Sequence, residues 1–188
     1  MQNWCYFWLI VVVTRLLTAC GPSQIAERST VTPQATRSDM MDISAASNIT
    51  ACRVTQPSAQ PFTPPPPYSP NAPYESEFWY GTEALWTLLS ADGIWQQLPQ
   101  NDGVYTQKTF WWKKGYDWRA EPAPSLTVTG KRLDGLAPPL EASTATNGYH
   151  DDLKSFMLVG VDLPTAGCWE ITGHSEGHDL SFVVWVEP

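Results

Sequence analysis

Downstream of residue 75 the chain alternates apolar and polar positions in short runs, and no stretch holds a 3.6-residue apolar period for long. β-Prone runs recur at Ala84–Leu89, Gln107–Trp112, Leu126–Leu133, Phe156–Val161, Gly167–Gly173 and Leu180–Val186, with Pro or Gly between them. Regular short strands separated by turn residues predict an all-β fold, a sandwich or a barrel. The pairs Asp92-Gly93, Asp102-Gly103, Lys114-Gly115, Asp134-Gly135 and Asn147-Gly148 are the expected turns. The last two strands are the clearest. Leu180, Phe182, Val184 and Val186 share one face and Ser181, Val183 and Trp185 the other, since successive strand side chains point to opposite faces. In the preceding strand Trp169 and Ile171 face one way and Cys168, Glu170 and Thr172 the other, with His174–His178 read as the connecting loop. In the run from Lys108 to Arg119 the same parity predicts Phe110 and Trp112 inward and Trp111 outward beside Thr109 and Lys113.

Upstream the pattern changes. Residues 22–74 are rich in Ser, Thr, Ala, Gln and Pro and include the run 64–67 of four prolines. Such a segment buries too little apolar surface to offset its conformational entropy, so residues 20–74 are predicted to be a disordered tether, stiffened at the prolines. Composition shifts sharply at Tyr74–Tyr80, and eight of the ten tryptophans lie from Trp79 onward. Residues 75–188 are long enough to bury a core of their own.

The N-terminus carries one apolar run, residues 6–13, short of the ~20 residues of a spanning helix and about the length of a signal-peptide core. Leu17-Thr18-Ala19-Cys20-Gly21 follows it and resembles the lipobox of bacterial lipoproteins. No Lys or Arg precedes the run, and Arg15 interrupts its end; both depart from that pattern. The resemblance implies that residues 1–19 are a signal peptide. It also implies that Cys20 carries the acyl chains and that the protein is exported and anchored to the cell envelope, at the outer membrane if the cell is Gram-negative. An ordinary secretory signal cleaved near Ala19, or a short buried strand, are the other readings of the same run.

Charge narrows the partners. The chain has 11 Lys and Arg against 19 Asp and Glu. Loss of Arg15 with the signal peptide would leave ten against nineteen, a formal −9, and all of that net charge falls on residues 75–188. An acidic domain repels nucleic acid and anionic lipid, so membrane attachment would come from the acyl chains alone.

With Cys5 lost in the signal peptide and Cys20 acylated, Cys52 and Cys168 remain. In an oxidising compartment they form a disulfide candidate, and Cys168 lies on the face opposite Trp169 and Ile171, open to a partner from outside. Free thiols, or a bridge to another chain, are the alternatives. A bridge would shorten the tether to residues 21–51, with a reach of roughly 30 Å.

Trp111, Lys113, Tyr116, Trp118 and Trp185 form the candidate ligand or partner surface, because exposed Trp beside Lys or Arg stacks on sugar rings or anchors a protein. The alternative is a Trp111 covered by the loop at 116–124. His174, Glu176 and His178, with His150-Asp151-Asp152, lack metal-site spacing in a turn containing Gly177, and neither metal nor cofactor is expected. No Ser lies in Gly-x-Ser-x-Gly or Ser-x-x-Lys, and the adjacent carboxylates Asp151 and Asp152 diverge on an extended chain.

Pro164–Ile171, a loop and a final alternating strand resemble the last two strands of an immunoglobulin-like β-sandwich. The elements Cys52-Arg53-Val54-Thr55 and Gly167–Glu170 around a Trp-rich middle are similar to a loose group of uncharacterised bacterial exported proteins, which brings no activity with it. The expectation is therefore a lipid-anchored envelope protein whose sandwich is a non-catalytic binding or assembly module. Its partner would be an envelope glycan or protein. A structural spacer without a ligand, and a hydrolase of envelope glycans, are the rival expectations.

Overall fold

The computed structural model describes residues 49–188; the expected signal peptide, the expected lipid site at Cys20 and the larger part of the expected tether lie outside the described residues. All six predicted strands form, with ends shifted by at most three residues. The full set is β1 (Glu77–Thr82), β2 (Leu85–Ser90), β3 (Ile94–Trp95), β4 (Gln100–Asn101), β5 (Val104–Trp112), β6 (Thr127–Arg132), β7 (Glu141–Ala142), β8 (Thr146–His150), β9 (Lys154–Leu163), β10 (Gly167–Ser175) and β11 (His178–Val186). They build an all-β sandwich. One sheet runs β1-β2-β5-β9, with β7 and β8 on the far edge of β9 and β4 on β5. The other runs β3-β11-β10-β6. Every pairing is antiparallel except β3 with β11.

Period-2 alternation on both sheets fills the space between them. Leu85, Leu89, Trp111, Met157, Val159, Val161 and Leu163 from the first sheet meet Val128, Trp169, Ile171, Phe182, Val184 and Val186 from the second. The inward face read for β10 and β11 is thus the one observed, and Cys168 points outward as expected. On β5 the reading is reversed. Trp111 is fully buried in this core, and Phe110 and Trp112 point to the outer face of their sheet. The Trp111 ring takes the room over Gly173 on β10, where an added Cβ would collide with the indole.

The outer faces are not bare, because the chain upstream of β1 covers both. Cys52 bonds to Cys168 and, with Val54, seals Trp185 on the outer face of the second sheet. There the Thr55 amide donates to the Val183 carbonyl (2.9 Å) and the Val183 amide donates back to the Thr55 hydroxyl (2.8 Å). The same segment then crosses to the first sheet. Phe62 and Tyr68 lie on Trp86, at ring separations of 5.6 and 5.3 Å, and Tyr68 donates to the Ser155 carbonyl (3.1 Å). Beneath them Trp79 and Trp112 meet edge to face at 5.0 Å. The part of the expected tether at 52–74 is therefore a packed strap. Its few apolar residues find large apolar faces already built, and its prolines lower the entropy lost on ordering. The proline run bends at a turn in which the Tyr68 amide reaches the Pro65 carbonyl (3.2 Å).

Two turns also differ from expectation. The β10–β11 connection is only Glu176-Gly177, both at positive φ (51° and 80°) as a tight hairpin requires, so His174 and His178 are strand residues. Asn147-Gly148 lies inside β8, where Gly148 leaves room for the Phe156 ring.

Candidate functional site

The five residues read as a surface are mostly interior. Trp111 is buried between the sheets, and Trp185 is 6% exposed beneath Cys52 and Val54. Trp185 does face away from the inter-sheet core, as parity predicts, but the strap covers it. Lys113 and Tyr116 are also buried. The Lys113 ammonium sits 2.9 Å from Glu121 Oε2 and 2.5 Å from Glu176 Oε1, tying the loop after β5 to the β10–β11 hairpin tip. Burial pulls its pKa down, but hydrogen bonds and charge from Glu176 and Glu121 outweigh this and hold it above the usual lysine value. Tyr116 donates to the Glu121 carbonyl (3.3 Å), and burial, reinforced by the Glu121 charge, pushes its phenol up to about 12.

This is a structural clamp. Lys113→Ala is expected to cost about 1.5–3 kcal/mol, the range for hydrogen bonds to charged groups, in urea unfolding at pH 7. Because the folded pKa lies above the unfolded value of 10.5, the contribution is fully present below 10.5. It is lost as pH rises through the folded value, so wild type and variant converge only in strongly alkaline solution.

Trp118 is half-buried, with the Arg119 guanidinium 4.7 Å from its ring centroid and Tyr149 stacked at 6.1 Å. The Asn147 amide donates to its carbonyl. Its ring is thus engaged by its own chain, and only Tyr149, 48% exposed, presents an open aromatic surface there. His174 is likewise spoken for, with Nδ1 2.7 Å from Asp179 and Nε2 3.0 Å from Thr129 across the sheet. Among the described residues no group of three or more His, Cys, Asp and Glu is placed to hold a metal ion, and no helix is long and apolar enough to cross a membrane.

A concave feature lies elsewhere. β2 and β5 pair at only two positions, Trp86 with Trp112 and Thr87 with Trp111. Beyond Thr87 they part, because the chain turns at Gly93 (φ 69°), whose amide reaches the Ser90 carbonyl (3.0 Å), and crosses to β11 as β3. The parting leaves a cleft of about 470 Å³, within the range of roughly 300–1,000 Å³ usual for small-molecule sites. Glu77, Ser90 and Asp92 line one side and Gln107, Lys108 and Phe110 the other, with Trp95 and Phe182 toward the core.

The polar groups there differ in how they are satisfied. Asp92 Oδ1 accepts from Ser90 Oγ (2.7 Å) and the Ile94 amide (2.9 Å), which holds the turn. Gln107 Oε1 accepts from the Lys108 amide (2.9 Å), a group on the strand edge that β2 has left. Glu77 Oε2 is buried without a hydrogen-bond partner among the described residues, and burial raises the pKa of its carboxyl. Lys108 is exposed and makes no ion pair among the described residues. None of these was singled out from the sequence as a site residue. They fall on three strands and a turn between residues 77 and 108, and no motif spacing joins them. Comparison with protein-family models, with curated proteins and with solved structures finds no match.

Proposed function

We propose that the chain is an exported, lipid-anchored cell-envelope protein whose immunoglobulin-like sandwich serves as a non-catalytic binding module. The observation that carries this is the buried Cys52–Cys168 disulfide, which pins the strap to β10 and closes a separation of 116 residues. Disulfides of this kind persist in oxidising compartments outside the cytosol. The lipobox-like Leu17–Gly21 then supplies an anchor, and the cleft between β2 and β5 supplies a concave surface. Strand order supports the immunoglobulin-like topology. β2, β5, β9 and β8 correspond to A, B, E and D of such a sandwich, and β6, β10 and β11 to C, F and G. One departure is that Cys168 on the F-like strand faces out to the strap, while Trp111 fills the interior against Gly173.

The test is metabolic labelling with radioactive palmitate of cells expressing wild type or Cys20→Ala. Label in wild type that is lost in the variant is expected. Equal absence of label in both refutes the anchor.

A glycan hydrolase is the second reading, and one observation favours it. Glu77 and Asp92 line the same cleft, and burial raises Glu77 as a general acid requires. Against it, Asp92 Oδ1 is already committed to its own turn. Release of reducing ends from chito-oligosaccharides, abolished by Glu77→Gln, would replace binding with hydrolysis.

A further inference from the structure

We infer that the cleft between β2 and β5 binds an uncharged, hydroxyl-rich saccharide, held between Glu77 on one lip and Lys108 on the other. The inference rests on the binding-module reading and gives it a location and a ligand class.

Among the described residues the cleft lacks a donor for one of its carboxylate oxygens. A carboxylate oxygen shut away from water without a donor is costly, and native chains retain few of them. Glu77 Oε2 is in that position, so a ligand that brings a hydrogen-bond donor meets an unfilled demand. Across the opening, Lys108 offers an ammonium with no ion-pair partner among the described residues, and the Gln107 amide has its oxygen engaged by the Lys108 amide, leaving its NH₂ group. The ligand must therefore donate on one side and accept on the other. A sugar hydroxyl does both.

Shape and charge narrow the class. Phe110, half-buried, lines the cleft with ring surface of the kind that the C–H face of a pyranose stacks on, and Trp95, buried against Phe182, closes it toward the core. The volume of about 470 Å³ holds the end of a short oligosaccharide. An anionic ligand would meet Glu77 and Asp92 in a chain of net charge −8. An uncharged polyol escapes that penalty, and it can accept from Lys108, which an ammonium group cannot.

The test uses the purified, oxidised full chain and saturation-transfer NMR with calorimetry. The probes are N,N′-diacetylchitobiose, cellobiose, maltose and galactose, with glucuronate and glucosamine as charged arms. At least one neutral sugar is expected to bind saturably. Its affinity should fall fivefold or more in both Glu77→Gln and Lys108→Ala, whose circular dichroism should match wild type, and should be unchanged in Arg119→Ala.

Absence of binding by all four neutral sugars overturns the proposal, as does tighter binding of either charged arm. So does an affinity indifferent to both cleft variants. Loss in Arg119→Ala instead would move the sugar to the Trp118–Tyr149 stack, overturning the cleft while leaving a binding module in place. Lipid anchoring is decided separately by palmitate labelling, so the two failures are distinguishable.

Discussion

Trp111→Ala is expected to destabilise the sandwich by about 3–5 kcal/mol, the range for truncating a fully buried Trp. In a domain of this size that is a fall in Tm on the order of 10–20 °C. Three features place the residue at this end of the scale. Its side chain is 0% exposed. Its indole Nε1 donates to Thr109 Oγ1 (2.9 Å), which in turn donates to the Val159 carbonyl (3.0 Å), so truncation also strips a buried hydroxyl of one partner. The ring lies against Phe182 at 5.8 Å and over Gly173, which brings β10 close enough that no side chain fits between. Alanine would leave a cavity spanning both sheets, and the sheets are too firmly paired to collapse into it. Chemical denaturation monitored by circular dichroism measures the effect. Gly173→Ala, pushing on the same ring from the other side, should also destabilise. A loss below about 1 kcal/mol for Trp111→Ala would mean that the residue lies on an exposed face, as strand parity alone suggested.

That reversal marks where the sequence stops being readable. Alternation locates a strand and says which residues share a face, and on β10 and β11 it also says which face is inner. There one side carries Trp169, Ile171, Phe182 and Val184 and the other is mixed with Glu170, Thr172 and Ser181. On β5 the run Phe110-Trp111-Trp112 is apolar on both sides, so parity assigns the faces only if one side is wet. Neither side is, because the strap covers the outer one. The strap itself gives little signal. Val54, Phe62 and Tyr68 are sparse among Pro, Ser and Gln, and what holds them is the pair of faces they land on. Strands of two residues, such as β3, β4 and β7, are too short to show a period. The cleft is less visible still. It arises because β2 leaves β5 after Thr87 and the chain changes sheet at Gly93, and nothing in the spacing of Glu77, Trp95 and Lys108 reports that they line one cleft.

Breaking the Cys52–Cys168 bond, by reduction or as Cys52→Ala with Cys168→Ala, is expected to cost about 2–5 kcal/mol. The chain-entropy model puts a loop this long near the upper end, because cross-linking removes more freedom from the unfolded ensemble the longer the loop. The separation is 116 residues, most of the described chain. Native contacts hold the strap meanwhile. Thr55 keeps two hydrogen bonds to Val183, and Tyr68 keeps its bond to the Ser155 carbonyl and its contact with Trp86. The folded state should therefore survive reduction with the Trp79–Trp86–Trp112 face still covered, while the Cys52 end loosens over Trp185. Equilibrium unfolding of oxidised, reduced and doubly substituted protein separates these effects. Reduced wild type and the double variant should share one lowered midpoint, and hydrogen exchange should quicken at Thr55 and Val183 before Tyr68. An unchanged midpoint on reduction would mean that the strap is held by its hydrogen bonds and ring contacts alone. The disulfide would then be a mark of the compartment and not a source of stability.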